Sequence, residues 1–218
     1  MPWEAPILTV HHLGVSQSER IVWLCEELGV PYELKLYDRD PVTRLAPPEY
    51  KALHPVGTAP IITDGDVVLP ESGAIIEYII GKYGHGRLAV GPEAPNFADY
   101  LFWLHFANGT MMPRHMMLLG ARPEGEDDSP RARWVRERAQ LTWDLVEDRL
   151  SKAPYFAGDD FTAADIIMLF PLTTMRAFVA QSLDAYPSIR AYLQRIGERP
   201  AYRRAMAKGD PAMTPMLN

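Results

Sequence analysis

Apolar residues recur along this chain in two rhythms, and the rhythm changes near residue 84. In the first part, short β-branched runs alternate with stripes of helical spacing. "PILTVHHL" (6–13) reads as a strand. Ile21, Val22, Leu24, Cys25 and Leu28 then form a helical stripe that stops at Gly29 and Pro31. "YELKLY" (32–37) alternates polar and apolar positions as a half-buried strand does. A short helix fits "PPEYKAL". "APIIT" and "VVL" are apolar runs joined by "DGD", where Asp64-Gly65 is a hairpin signal because glycine supplies positive φ. "ESGAIIEYIIGKYG" is a helix with Ser72 as its expected cap and Ile75, Ile76, Ile79 and Ile80 on its buried face.

This order predicts a parallel strand pair joined by a helix, plus an antiparallel hairpin: a mixed four-stranded sheet with helices on its faces. "GHGRLAVGPEAPN" (84–96) has no periodicity and reads as a linker. Beyond it the spacing predicts helices over 96–118, 130–151, 163–181, 187–197 and 200–207, with "ARPEGEDDSP" as a polar loop. The expectation is therefore an α/β domain over 1–85 and an all-helical domain over 94–218.

Charge divides at the same place. Residues 1–85 hold 6 Lys and Arg against 12 Asp and Glu, whereas the remainder holds 16 of each. The net charge of −6 gives no footprint for nucleic acid or an anionic membrane. No apolar run reaches the roughly 18 residues of a membrane span. "MPWEAPILTV" lacks a basic flank before a long apolar stretch, so a cytoplasmic protein is expected. The single cysteine, Cys25, excludes an internal disulfide, a Cys-x-x-Cys pair and a thiolate zinc site. Any thiol chemistry must come with a ligand. "HH" at 11–12 is not by itself a metal signal, and no metal is expected.

Three stretches carry candidate chemistry. Pro60, before an apolar strand, belongs at a strand start or edge. A cis Ala59-Pro60 bond would let the preceding peptide group pair with an extended, peptide-like ligand. Ser72 opens a helix, and helix N-termini attract carboxylates, while Glu71 beside it suits an ammonium group. Ser16-Gln17-Ser18-Glu19 fits a capping box. A hydroxyl both accepts and donates, so a capping serine also has a proton to offer an anion at the positive end of the helix.

With these stretches in view, the chain resembles the cytosolic glutathione transferases. The resemblance rests on "SQSERIVWLCEELGVPYE", "HPVGTAPII", "ESGAIIEYI", "FTAADI" and "ERPAY", and it spans nearly the whole chain. It is nearest to serine-type bacterial and fungal members with "SxSxR" after the first strand. A tyrosine near the end of that strand would mark other classes, and "VHHLGVS" stands there instead; the beta class would carry a cysteine there. The resemblance implies a thioredoxin-like first domain, glutathione as co-substrate, a homodimer, and conjugation of the thiolate to small apolar electrophiles in detoxification.

By position, the resemblance gives thiol activation to Ser16, with Ser18 as the competing assignment. Ala59, before Pro60, would pair with the cysteinyl backbone. Glu71 and Ser72 would hold the γ-glutamyl ends, and His54 and Thr58 fall near the glycyl end. For the electrophile, "DYLFWLHFANGTMMPRHMM" offers Tyr100, Trp103, Phe106, Met112 and Met116, residues whose helical spacing equally fits core packing. "FTAADI", with Thr162 and Asp165 three apart, reads as a capping box that serves folding. Glutathione-dependent disulfide or peroxide reduction, and a non-catalytic binding protein, remain as alternatives.

Overall fold

The computed structural model describes residues 8–120 and 127–218. The first strand's expected start at 6–7 and most of the "ARPEGEDDSP" loop lie outside them. Four strands form one sheet in the order β2-β1-β3-β4. β1 (Thr9–Leu13) pairs in parallel with β2 (Glu33–Tyr37), and α1 (Glu19–Leu28) makes the connection. β3 (Ile61–Asp64) lies antiparallel to β1, and β4 (Val67–Pro70) antiparallel to β3. Gly65, at φ 58°, makes the hairpin turn. This is the mixed four-stranded sheet expected from the sequence, and it has the thioredoxin-like arrangement.

α1 ends because Gly29 adopts φ 63° and turns its N–H, with that of Val30, back onto the Cys25 carbonyl. α2 (Pro48–Lys51) is short, and α3 (Ser72–Lys82) buries the four isoleucines. Each such burial contributes about 1.5–3 kcal/mol.

The described chain divides into two compact units. The first joins residues up to Ala89 with Glu198–Pro215, so α9 (Pro200–Gly209) belongs to it. The sequence places all of 94–218 in the helical domain, and this segment departs from that division. The cause is specific packing. Trp23 meets Tyr202 edge-on at 5.2 Å, Glu27 accepts from Arg199 at 2.6 and 2.8 Å, and Glu26 from Arg204 at 2.9 Å and Lys208 at 2.5 Å. A helical stripe in the sequence reports a buried face but not its partner.

The second unit, Val90–Gly197 with Met216–Asn218, is helical. The expected helix over 96–118 is in fact α4 (Phe97–Phe106), a π-helical turn at Ala107–Met111, and α5 (Met112–Leu119). Pro113 has no N–H to return to Gly109, and Met112 N–H reaches Ala107 instead. α6 (Pro130–Lys152) follows. α7 (Ala163–Leu172) ends well before 181, giving way to a 3₁₀ turn at Thr174–Ala177. Pro171 removes one donor, and the Thr173 hydroxyl bonds the Leu169 carbonyl at 3.0 Å. α8 (Pro187–Gly197) completes the unit.

Candidate functional site

The loop from β1 to α1 is held from two sides. Arg39 donates to the Gly14 carbonyl at 2.8 Å and the Val15 carbonyl at 3.0 Å. Asp210, just beyond α9, accepts from the Val15 N–H at 2.8 Å. Val15 sits at φ 53°, a conformation a β-branched residue adopts only under constraint, at a cost of about 1–3 kcal/mol. The two clamps offset that cost and fix where Ser16 stands.

The capping box expected at Ser16–Glu19 does not form. The cap position of α1 falls to Ser18, whose side chain makes no capping bond. Ser18 turns back toward β1: its Oγ accepts from the Leu13 N–H at 3.2 Å and lies 2.9 Å from His12 Nδ1. Ser16 Oγ accepts from the Ser18 N–H at 3.2 Å and lies 2.7 Å from Ser18 Oγ. His12 Nε2 in turn lies 3.1 Å from Asp210 Oδ2. Burial alone would raise the Asp210 carboxyl; His12, the Val15 N–H and Arg39 outweigh it and hold the group below its ordinary value.

Alternation along β1 sends the neighbouring histidine to the other face. There His11 Nδ1 meets the Tyr37 hydroxyl at 2.9 Å and Nε2 meets Thr63 Oγ1 at 3.1 Å. Burial, and Lys35 after it, hold His11 below its ordinary value.

In the same unit, the Ala59-Pro60 bond is cis. Among the described residues no hydrogen bond engages the Ala59 backbone. Ser72 is not the cap of α3 but its first residue, buried, with its hydroxyl accepting from Arg20 Nη1 at 3.3 Å. The cap position is Glu71, exposed and held at φ 77°. The Glu71 side chain makes no capping bond to the first turn of α3. Thr58 is exposed, and His54 Nδ1 accepts from the Val56 N–H at 3.1 Å.

The apolar candidates lie in the second unit. Tyr100, Trp103 and Phe106 are buried, and Trp103 packs against Phe102, Phe106 and Phe156 with ring centroids 4.9–5.1 Å apart. Met112 is buried with Phe170 and Met175. Met116 alone of the five is exposed, at 55%. Within this unit, core packing accounts for the first four.

Sequence reasoning missed the parts played by His12 and Asp210. His12 was visible as an apolar-facing position on β1, but Asp210 lies 198 residues away and carries no local signal. Among the described residues, no group of three or more His, Cys, Asp and Glu is placed to hold a metal ion.

The N-terminal domain model of the glutathione S-transferases matches residues 16–80, and the C-terminal domain model matches 108–200. Glutathione S-transferase 3 of Schizosaccharomyces pombe is 34% identical over 216 residues, covering 93% of this chain and 88% of its own. A glutathione S-transferase structure from Actinobacillus pleuropneumoniae is similar with a TM-score of 0.85 at 33% identity, covering 97% of this chain and 99% of its own. A theta class glutathione S-transferase from Xanthomonas axonopodis pv. citri, solved with glutathione bound, gives a TM-score of 0.68 at 26% identity, covering 92% and 97%. With both parts of the chain matched, the protein belongs to the glutathione S-transferase family.

Proposed function

We propose that the protein is a glutathione transferase of the serine type, with Ser16 as the residue that faces the thiol. The observation that carries this reading is the placement of Ser16: a clamped loop just before α1, where the residue keeps 6% of its surface exposed while Ser18 keeps none. Burial of Ser18 favours Ser16 over it as the residue a ligand touches. The Ala59 backbone would pair with the cysteinyl part of glutathione, and Glu71 with Ser72 would receive the γ-glutamyl ammonium and carboxylate. His54 and Thr58 would lie toward the glycyl end.

A free thiol has a pKa of about 8.5. One hydrogen bond to a charged sulfur is worth about 1.5–3 kcal/mol, and a helix N-terminus adds up to about 2 kcal/mol. Together they lower the thiol pKa by the one to two units that make it largely thiolate near neutrality, since each unit is about 1.4 kcal/mol. The thiolate then attacks a small apolar electrophile. Met116, exposed on the helical unit, would be one of its contacts. A homodimer acting in cytoplasmic detoxification completes the reading, in keeping with the family.

Cys25 is fully buried and is the chain's single cysteine, which favours conjugation over exchange through a protein disulfide. Glutathione binding and titration of the bound thiol test the reading. Ser16→Ala is expected to raise the bound thiol pKa by about one to two units. An unchanged value would reject Ser16. Assays with a halonitrobenzene, a hydroperoxide and a mixed glutathione disulfide separate conjugation from reduction.

A further inference from the structure

Ser16, Ser18, His12 and Asp210 form an unbroken row of hydrogen bonds, with steps of 2.7, 2.9 and 3.1 Å. Its two interior members, Ser18 and His12, are 0% exposed, and solvent reaches it only at its ends, Ser16 at 6% and Asp210 at 8%. A serine that merely starts a helix needs no such backing. The end of α9 closes directly on the imidazole: a Cβ added at Gly209 would come within 3.2 Å of His12 Nε2. Glycine at that position is what lets the ring and the following carboxylate meet.

The donors and acceptors in the row can be assigned. An ionised Asp210 only accepts, so His12 Nε2 carries a hydrogen and donates it. In a neutral imidazole Nδ1 is then an acceptor, and the Ser18 hydroxyl donates to it at 2.9 Å in preference to the Leu13 carbonyl at 3.4 Å. Ser18 Oγ, already accepting from the Leu13 N–H, accepts the Ser16 hydroxyl with its other lone pair. Every hydrogen therefore points inward, toward Asp210. In that state the Ser16 hydrogen is engaged inward. Turning it toward an anion outside gives up the 2.7 Å bond to Ser18, and a second proton on His12 removes that loss by letting the row reverse.

We propose that His12, backed by Asp210, is the acceptor of the glutathione thiol proton, relayed through Ser16 and Ser18. The inference rests on the reading that Ser16 faces the thiol. The S–H bond breaks with its electron pair left on sulfur, and the proton binds Ser16 Oγ. The hydrogen that Ser16 held passes to Ser18 Oγ, and the one Ser18 held passes to His12 Nδ1. Both serines end as neutral hydroxyls, and the net product is one thiolate and one imidazolium. The Ser16 hydroxyl now donates outward, to the sulfur it has just deprotonated. Ser16 is the catalytic residue of this set; Ser18, His12 and Asp210 act through it.

Groups of both signs surround His12: Asp210 is bonded to it, Arg39, Arg44 and Asp38 lie on the side of β2 and the loop that follows, and the Tyr37 hydroxyl is engaged by His11. These groups, with His12 and Asp210, border an open-sided cavity of about 540 Å³. When the product leaves, the proton returns outward along the row to its Ser16 or Asp210 end, the two places solvent reaches.

Proton counting tests the relay. Calorimetric titration of glutathione into the intact protein, in buffers of different ionisation enthalpy, measures protons released; thiolate absorbance under the same conditions measures thiolate formed. The wild type is expected to release far less than one proton per thiolate. His12→Gln keeps a donor for Asp210 but takes no proton. In it the thiolate yield at neutral pH falls about tenfold, the effect of one unit in thiol pKa, and each thiolate that forms releases one proton to buffer. Ser18→Ala severs the row while leaving His12 and Asp210 paired, and gives the same result. A wild-type count of one proton per thiolate overturns the relay, and that measurement needs no variant to fold. Unchanged yield and count in both variants overturn it as well, while Ser16 keeps its role if Ser16→Ala alone abolishes thiolate formation. A Ser16→Ala protein with undiminished thiolate overturns both the assignment and the relay.

Discussion

Arg20 Nη1 donates to Ser72 Oγ over 3.3 Å, joining the first turn of α1 to the first residue of α3. The guanidinium is fully buried, and burial lowers its pKa to about 9, against the opposing field of Glu19. One side chain thus ties the thiol-facing loop to the residue expected to receive the γ-glutamyl carboxylate.

Arg20→Ala is expected to cost about 3–5 kcal/mol in urea unfolding, because buried Glu19 loses the cation beside it. Glutathione affinity falls with it, as Ser72 loses its donor. Arg20→Lys recovers only part of either: both bonds leave Nη1, and the shorter lysine stem carries its ammonium less far toward Gln17 and Ser72.

The capping box of α7 is complete. Thr162 Oγ1 accepts from the Ala164 N–H at 3.3 Å, and Asp165 accepts from the Thr162 N–H at 2.9 Å and the Phe156 N–H at 3.0 Å. Thr162→Ala should cost about 1 kcal/mol in chemical denaturation. Asp165→Ala should cost more, because each buried N–H left without an acceptor adds about 1–3 kcal/mol.

His115 is buried against Trp143, ring centroids 5.3 Å apart, and neither ring nitrogen has a hydrogen-bond partner among the described residues. Burial lowers its pKa from 6.5 to about 4. The unfolded chain therefore binds a proton that the folded chain refuses between these values. The stability due to neutral His115 is complete above pH 6.5 and is lost as pH falls toward 4, on the order of 3 kcal/mol in all. Urea unfolding at pH 7 and pH 4.5 should show this slope in the wild type and a smaller one in His115→Phe, which keeps the ring stack and cannot titrate.

Cys25 is 0% exposed, and burial, the main cause, lifts its thiol far above the ordinary range. A disulfide reagent is expected to leave the native protein unlabelled and to react fully in denaturant. At high reagent concentration the labelling rate becomes the rate at which α1 is exposed. Labelling within seconds in native buffer would contradict the burial.

The four strands, their mixed pairing and α1 were legible because their signals are local: β-branched runs, a helical stripe, Gly29 and Pro31 as a stop. Thr162 and Asp165 were legible for the same reason. The same local logic misread Ser16–Glu19. The spacing of a capping box was present, but the Ser16 hydroxyl is taken by the Ser18 N–H and Oγ, and Ser18, left at the cap position, turns to His12 and the Leu13 N–H instead of the helix end. Asp210 escaped notice entirely, since nothing near it in the chain hints that it meets β1. The breaks at Pro113 and Pro171 were written in the sequence, yet the apolar periodicity running through both prolines hid them.

The first unit is assembled from both ends of the polypeptide, with Glu198–Pro215 completing what the residues up to Ala89 begin. During synthesis the ribosome therefore releases β1 and α1 long before Tyr202, Arg204 and Lys208 exist to cover Trp23 and Glu26. The nascent sheet waits, its α1 surface bare, until the helical insertion has been translated. A chain stopped before residue 198 holds every residue expected to touch glutathione but lacks the helix that covers α1. Premature termination is therefore expected to leave the Trp23 and Glu26 face of α1 uncovered rather than to yield a small working domain.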